Sequence, residues 1–272
     1  MRAFLIAVAA CVGMSGNAWA WGDTGHTIVC EIALRLVQPS TRANIQQLLR
    51  NDPQFRNNFA KSCTFPDHPR KRASEHFLNL PRTASGIGPF GSPCFQADKC
   101  VVTAIASDVA VLASNAPAQA KLTALKFLGH WVGDVHQPLH ISFEDDRGGN
   151  NITTTGSCAS TMHSTWDTCL VNKAVGTNPA QAAATLIRTI TPQLRAQWSA
   201  SGPVDWANES YAIARAPTTK YCVMQGFSCV LPNPPKVRID NAYLATNIPI
   251  VRERLQKAGV RLANQLDRLL GN

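Results

Sequence analysis

Apolar residues recur at three- and four-residue steps along most of the chain. Ile28, Ile32 and Leu36 share one face of a helix predicted over Thr24–Val37, which Pro39 ends. Ser40 is placed to cap a short helix carrying Ile45, Leu48 and Leu49. Asp98–Ser114 repeats Val101, Ile105, Val109 and Leu112. Ala118–Val135 carries Leu122, Leu125, Leu128, Trp131 and Val135, and Pro138 stops it. Further helices are expected over His163–Val171, over Pro179–Trp198 with a kink at Pro192, and over Pro203–Ala214. Asn241–Leu270 carries a long helical pattern, expected to break around Pro249 and Gly259. Few segments alternate with period two. The Gly/Pro stretches Ser85–Pro93 and Leu231–Pro235 read as loops. With no internal repeat, low-complexity tract or long linker, the pattern predicts one compact all-α, multi-helix domain with long ordered loops.

The first twenty residues depart from this pattern. Arg2 supplies a positive start, Phe4–Met14 an apolar stretch, and Ala18-Trp19-Ala20 a small-x-small cleavage site. The expected division is a signal peptide over 1–20 and the functional domain over 21–272. The expected location is secreted or periplasmic. A competing lipoprotein signal, Val8-Ala9-Ala10-Cys11, would retain Cys11 and fits the length less well. Cleavage after Ala20 removes one of nine cysteines and leaves an even number, as an oxidising compartment favours.

Cys94–Cys100, Cys158–Cys169 and Cys222–Cys229 are close in sequence and suggest local disulfide staples. Cys30 and Cys63 then remain, and would tie the first helix to the 61–70 loop. Eight cysteines allow 105 connectivities, so spacing alone leaves the pairing open. The two-residue spacing of cysteine zinc ribbons is absent.

At 272 residues, 45% hydrophobic and 16% charged, the chain is too apolar for disorder and large enough for a core. No apolar run reaches the roughly 18 residues of a membrane span. The net charge of +9 falls to +8 without Arg2 and favours polyanionic partners such as nucleic acid or anionic lipid.

The candidate chemistry is carried by histidine and aspartate. In FLGHWVGDVHQPLH, His130 and Asp134 are four apart on a helix and point the same way. The helix stops at Pro138, so His140 can swing back beside them. His163 and Asp167 form a second such pair. Asp67, then His76, form a third group, and Trp21–His26 (WGDTGH) a fourth. Imidazole plus carboxylate is the ligand set of hydrolytic zinc sites. One such pair is more often a capping contact, but five of seven histidines interleaved with aspartates are harder to dismiss. A free α-amine on Trp21, with a pKa near 8, could join its own carbonyl in a five-membered chelate.

In order, the chain holds WG…H, PDxxR, HF, HxxxDxHQPLH, GGN and HxxxD, spread over Trp21 to Leu269. In this it resembles the trinuclear-zinc, single-strand-specific nucleases and 3′-nucleotidases (type I nucleases), which share a fold with zinc-dependent phospholipase C. The resemblance implies three Zn²⁺ ions. One would take Asp67, His76, His130 and Asp134. Its neighbour would take the Trp21 amine and carbonyl, His26 and a bridging Asp134. The third would take His140, His163 and Asp167. A hydroxide between the first two would attack phosphorus in line, and the third would stabilise the leaving 3′-oxygen. Asp67, Arg70 and Asp134 are then the expected catalytic residues, with Arg70 clamping a phosphate oxygen. Phe77 would stack a base, with Asn79, Gly148 and Asn150 completing the pocket. Fungal members carry Asp where this chain has Asn79, which puts base preference in doubt.

The expected substrates are single-stranded DNA and RNA and 3′-nucleotides, the products 5′-phosphates, and the enzyme a monomer. A zinc phospholipase C is the alternative, although those enzymes use Glu at the position of Asp167. A metal-storing binding protein is a third reading. His136 is expected to be a packed, hydrogen-bonded neighbour of the site. Glu144, Asp145 and Asp146 lack EF-hand spacing and read as a solvated loop. Asn151 and Asn208 fit the glycosylation pattern, which chance often produces.

Overall fold

The computed structural model describes residues 21–88, 94, 99–226 and 228–271. The expected signal peptide with Cys11, residues 89–93 of the Ser85–Pro93 loop, and Asp98 lie outside the described residues. The architecture is all-α in character. The helices are α1 (Asp23–Leu36), α2 (Pro39–Leu49), α3 (Phe59–Ser62), α4 (Val101–Ala113), α5 (Ala118–His136), α6 (Met162–Ser164), α7 (Leu170–Val175), α8 (Pro179–Ile187), α9 (Pro192–Ser199), α10 (Pro203–Ala214) and α11 (Asn241–Leu270).

Helix α5 is the axis of the molecule. Every residue from Ala124 to His136 is buried, so it is covered on all sides rather than along one stripe. Helix α4 packs against it, and α1, α10 and α11 close the remaining sides. Close approach is enforced at two glycines. A Cβ on Gly129 would lie 2.3 Å from Cys63 Sγ, and one on Gly133 would lie 2.7 Å from His26 Nδ1. No larger residue fits either position without moving α1 and the 61–70 segment away from α5.

Several expectations from periodicity are corrected. Helix α11 runs unbroken through Pro249 and Gly259. Pro249 is exposed, so the ring and the missing amide fall on the outer face. The buried stripe Tyr243, Asn247, Val251, Leu255, Ala258 and Leu262 continues past it. Gly259 serves packing: a Cβ there would meet Ile32 of α1 at 2.4 Å. Pro179–Trp198 is two helices, because Pro192 opens α9 at its first position under the Thr191 cap. His163–Val171 is divided among α6, a π turn over Thr165–Cys169, and α7. Pro39 opens α2 after Gln38. Ser40 lies inside the helix and bonds the Gly271 carbonyl.

Six short strands were not legible in the sequence. β1 (Leu78–Leu80) pairs in parallel with β2 (Ile141–Phe143). β3 (Thr153–Gly156) pairs in parallel with β6 (Lys236–Ile239). β4 (Val223–Gln225) pairs antiparallel with β5 (Ser228–Val230). The first pair matters for the site: it ties the segment after His76 to the segment after His140, with Asn79 opposite Ser142. Disulfides join Cys30–Cys63, Cys94–Cys100, Cys158–Cys169 and Cys222–Cys229. No helix among the described residues is long and apolar enough to cross a membrane.

Candidate metal centre

Helix α5 presents His130 and Asp134 one turn apart on one face. Helix α1 brings His26 against them, and the His26 ring stacks on that of His130 at 3.8 Å. Asp67 comes from a 3₁₀ turn over Phe65–Asp67 and His76 from another over Ala73–His76. The 3₁₀ turn Pro138–His140, directly after α5, returns His140 to the same cavity. His163 on α6 and Asp167 on the π turn complete the set. These side chains are almost wholly buried.

They fall into three groups: His26, His130 and Asp134; Asp67, His76 and His130; and His140, His163 and Asp167. His76 Nδ1 and His130 Nε2 lie 3.1 Å apart, and each lies 3.3 Å from Asp134 Oδ2. Asp67 reaches His76 at 3.6 Å and His130 at 3.8 Å. His26 Nε2 is 3.4 Å from Asp134 Oδ1, and His163 Nε2 is 3.4 Å from Asp167 Oδ2. Tetrahedral zinc with bonds of about 2.0–2.1 Å separates its donor atoms by about 3.3 Å. The side chains are spaced as the edges of such a polyhedron.

The hydrogen bonds behind the rings fix which nitrogen faces the cavity. His130 Nδ1 donates to the Cys63 carbonyl at 2.8 Å, His140 Nδ1 to His76 at 2.6 Å, and His163 Nδ1 to Gly148 at 2.6 Å. His76 Nε2 donates to the Lys71 carbonyl at 2.9 Å. Each neutral ring therefore turns a lone pair inward, the arrangement that orients metal-ligating histidines. Between neutral rings the 3.1 Å contact of His76 with His130 is then acceptor against acceptor, a contact that a cation between them relieves. Both nitrogens of His26, both oxygens of Asp134, His140 Nε2 and Asp167 Oδ2 are buried without a hydrogen-bond partner. So many orphaned polar atoms in one cavity would be costly without an ion. The residues fit metal.

Electrostatics agrees. Burial, and the neighbouring His163, hold His140 well below the usual imidazole range despite Asp134, while burial lowers His163 to about 4. Both are neutral ligands at ordinary pH. Burial pushes Asp134 upward, but the imidazoles packed around it, His130 foremost, outweigh this and hold the carboxyl well below its usual value, while Asp134 in turn raises His130 against its burial. Arg70 lies within electrostatic reach of His140, His163 and Asp167, on the side of the third group.

Among the other anticipated residues, Trp21 is fully buried. Gly22 N, the next amide, donates to the Asp167 carbonyl at 2.9 Å, which pins this stretch of backbone to the cluster. Phe77 is partly exposed beside His76, and Asn79 Oδ1 is buried without a partner two residues on. Gly148 N donates to the Phe143 carbonyl and Asn150 bonds back to Arg147, so this loop is folded against β2.

A family described as S1/P1 nuclease matches residues 21–271. The chain belongs to the S1/P1 nuclease family. Endonuclease 5 of Arabidopsis thaliana is 26% identical over 99% of this chain and 97% of its own length. Nuclease S1 of Aspergillus oryzae is 26% identical over 95% of each chain, and nuclease P1 of Penicillium citrinum 25% identical over 93% of this chain and 98% of its own. As an S1/P1 nuclease the protein is a metal-dependent hydrolase of phosphodiester bonds in nucleic acid.

The S1/P1 site also has support that sequence reading missed. Asp146 is buried, not solvated. It accepts from Gly149 N and Tyr221 and is paired with Arg82, which fixes the loop whose Gly148 carbonyl holds His163. Asp145 is the exposed partner of the same arginine. Arg72 bridges Glu75 and Asp108 under His76, and Trp131 Nε1 donates to the same Asp108. Asn208 is committed to Ile87, holding that loop to α10. Apart from Asp146 with Gly149 and Arg72 with Glu75, these partners lie far apart in sequence, so no spacing announces them.

Proposed function

We propose that the mature protein begins at Trp21, outside the cytoplasm, holds three Zn²⁺ ions, and hydrolyses single-stranded DNA and RNA to 5′-phosphorylated products. The same site removes the phosphate of 3′-nucleotides. The observation that carries this reading is the set of buried, inward-facing imidazole and carboxylate atoms at tetrahedral spacing, several of them without a hydrogen-bond partner. Asp67, His76, His130 and Asp134 form the first site. His26, Asp134 and the freed Trp21 amine and carbonyl form the second. His140, His163 and Asp167 form the third. Zinc in such sites polarises phosphoryl oxygens and lowers the pKa of water from 15.7 toward 7.

The protein's own groups do the rest. Asp134 turns Oδ1 toward His26 and Oδ2 toward His76 and His130, so one carboxylate serves two sites. Arg70 clamps a non-bridging phosphate oxygen, orienting phosphorus for in-line displacement. Phe77 stacks the base beside the scissile phosphate, and the Asn79 amide reads its edge. A paired base cannot reach that pocket without leaving its helix, which makes single strands the preferred substrate.

The test is incubation of zinc-loaded protein starting at Trp21 with single-stranded DNA, RNA, duplex DNA, a 3′-nucleotide and phosphatidylcholine vesicles. Release of 5′-nucleotides from single strands and of phosphate from the 3′-nucleotide is expected. Release of phosphocholine without nucleotide products would move the site to lipid chemistry.

A further inference from the structure

Gln137 follows α5 in the HQPLH segment and is completely buried. Both ends of its amide are used. Oε1 accepts from Leu139 N, shaping the turn that returns His140 to the cavity. Nε2 donates to Asp167 Oδ1 at 2.5 Å, across thirty residues of sequence. The other oxygen of that carboxylate, Oδ2, is buried without a partner and lies 3.4 Å from His163 Nε2. Oδ1 is thus held by the amide, 4.0 Å from His140 Nε2, while Oδ2 is left unoccupied and faces His163 Nε2.

The Asp167 carboxylate has little else to hold it. Its carrier is a single π turn, a helix form that is rare overall and frequent at functional sites. The histidines of the cavity gain their orientation from backbone carbonyls. A carboxylate needs a donor instead, and Gln137 supplies one that carries no charge. A lysine or arginine there would neutralise Asp167 and compete with a cation.

We propose that Gln137 is a positioning residue of the third metal site: it holds Asp167 by Oδ1 so that the unoccupied Oδ2 is the oxygen offered to the ion, and it couples that orientation to the turn carrying His140. The inference rests on the proposed metal-holding role of Asp167. The third site then draws three side-chain donors, His140 Nε2, His163 Nε2 and Asp167 Oδ2, and a four-coordinate ion there keeps one position for substrate.

Native mass spectrometry with graded chelator counts and ranks the zinc equivalents held by the purified protein. Gln137→Leu is expected to keep two equivalents at wild-type affinity and to release the third about 10–100-fold more readily. Gln137→Glu keeps an acceptor for Leu139 N but loses the donor to Asp167 when ionised. It is expected to behave the same way, and it serves if the leucine variant does not fold. Equal weakening of all three equivalents, or a lower melting temperature with the metal ranking unchanged, assigns Gln137 to general stability and overturns the inference. Asp167→Asn separates the two layers. If that variant keeps three tight equivalents, the underlying reading of the third site fails. If it loses one while both Gln137 variants keep three at wild-type affinity, the positioning role alone fails.

Discussion

Two polar clusters are buried against opposite sides of α5. His130 and Asp134 face one, and His136, two residues or about 200° further round, faces the other. The second cluster is closed. His136 Nδ1 donates to the Val132 carbonyl and Nε2 accepts from Arg261. Arg254 and Arg261 share Glu209, and their remaining donors reach Ser210, Ser201 and the carbonyls of His136, Trp206 and Trp198. The first cluster is as deeply buried, yet its central atoms lack partners. Burial of charge is therefore common to both. What marks the metal centre is imidazole and carboxylate atoms turned toward one another without hydrogen-bond partners.

The comparison is broken most severely at Asp134. On the proposed layout Asp134→Asn takes a ligand from two sites at once, and a drop in nuclease turnover on the order of a thousandfold or more is expected, with loss of bound metal. Glu209→Ala should leave metal content intact. Initial-rate assays paired with metal analysis separate the two.

Metal removal comes next. Zinc held at a hundredfold excess over its dissociation constant stabilises by about 2.7 kcal/mol per site, and about 2–4 °C of melting temperature follows each kcal/mol in a domain near this size. Scanning calorimetry with chelator should show a fall of at least about 5 °C. Asp134→Asn should show a smaller response to chelator, and Glu209→Ala the full one.

Glu209→Ala itself tests the closed cluster. It leaves two buried guanidinium groups without their carboxylate, for about 3 kcal/mol of destabilisation, the lower end of the range because Glu209 is about a third exposed. Urea unfolding measures it. Phe77→Ala leaves both clusters alone and should weaken kcat/KM on single strands by about 1–3 kcal/mol while sparing metal content.

The smallest effect is on acid stability. Burial raises Glu209, but Arg261 and Arg254 overcome that and hold its carboxyl down to about 2. A depressed carboxyl contributes stability that is fully present above its ordinary value of 4.5 and is lost as pH falls toward 2. The glutamate-to-alanine difference in stability should therefore shrink across that window in acid unfolding curves.

The contrast also explains what the sequence disclosed. Ligand pairs four apart on helices, such as His130 with Asp134, are visible because spacing alone puts them together. The helical core was legible for the same reason. The closed cluster was hidden: His136, Glu209 and Arg261 meet only through the packing of α5, α10 and α11. Short parallel pairs such as β1–β2 have too few residues to show alternation. Pro249 misled because local propensity yielded to a buried stripe that runs past it. Asp146 read as one acid among three, and only its contacts with Arg82, Tyr221 and Gly149 distinguish it.

The most direct test is the native mass of the secreted protein, purified without chelator. The expected species starts at Trp21, has all eight remaining cysteines oxidised and carries three zinc ions. A correctly folded chain that binds no zinc, or that holds three ions with residues 1–20 still attached, would contradict this expectation.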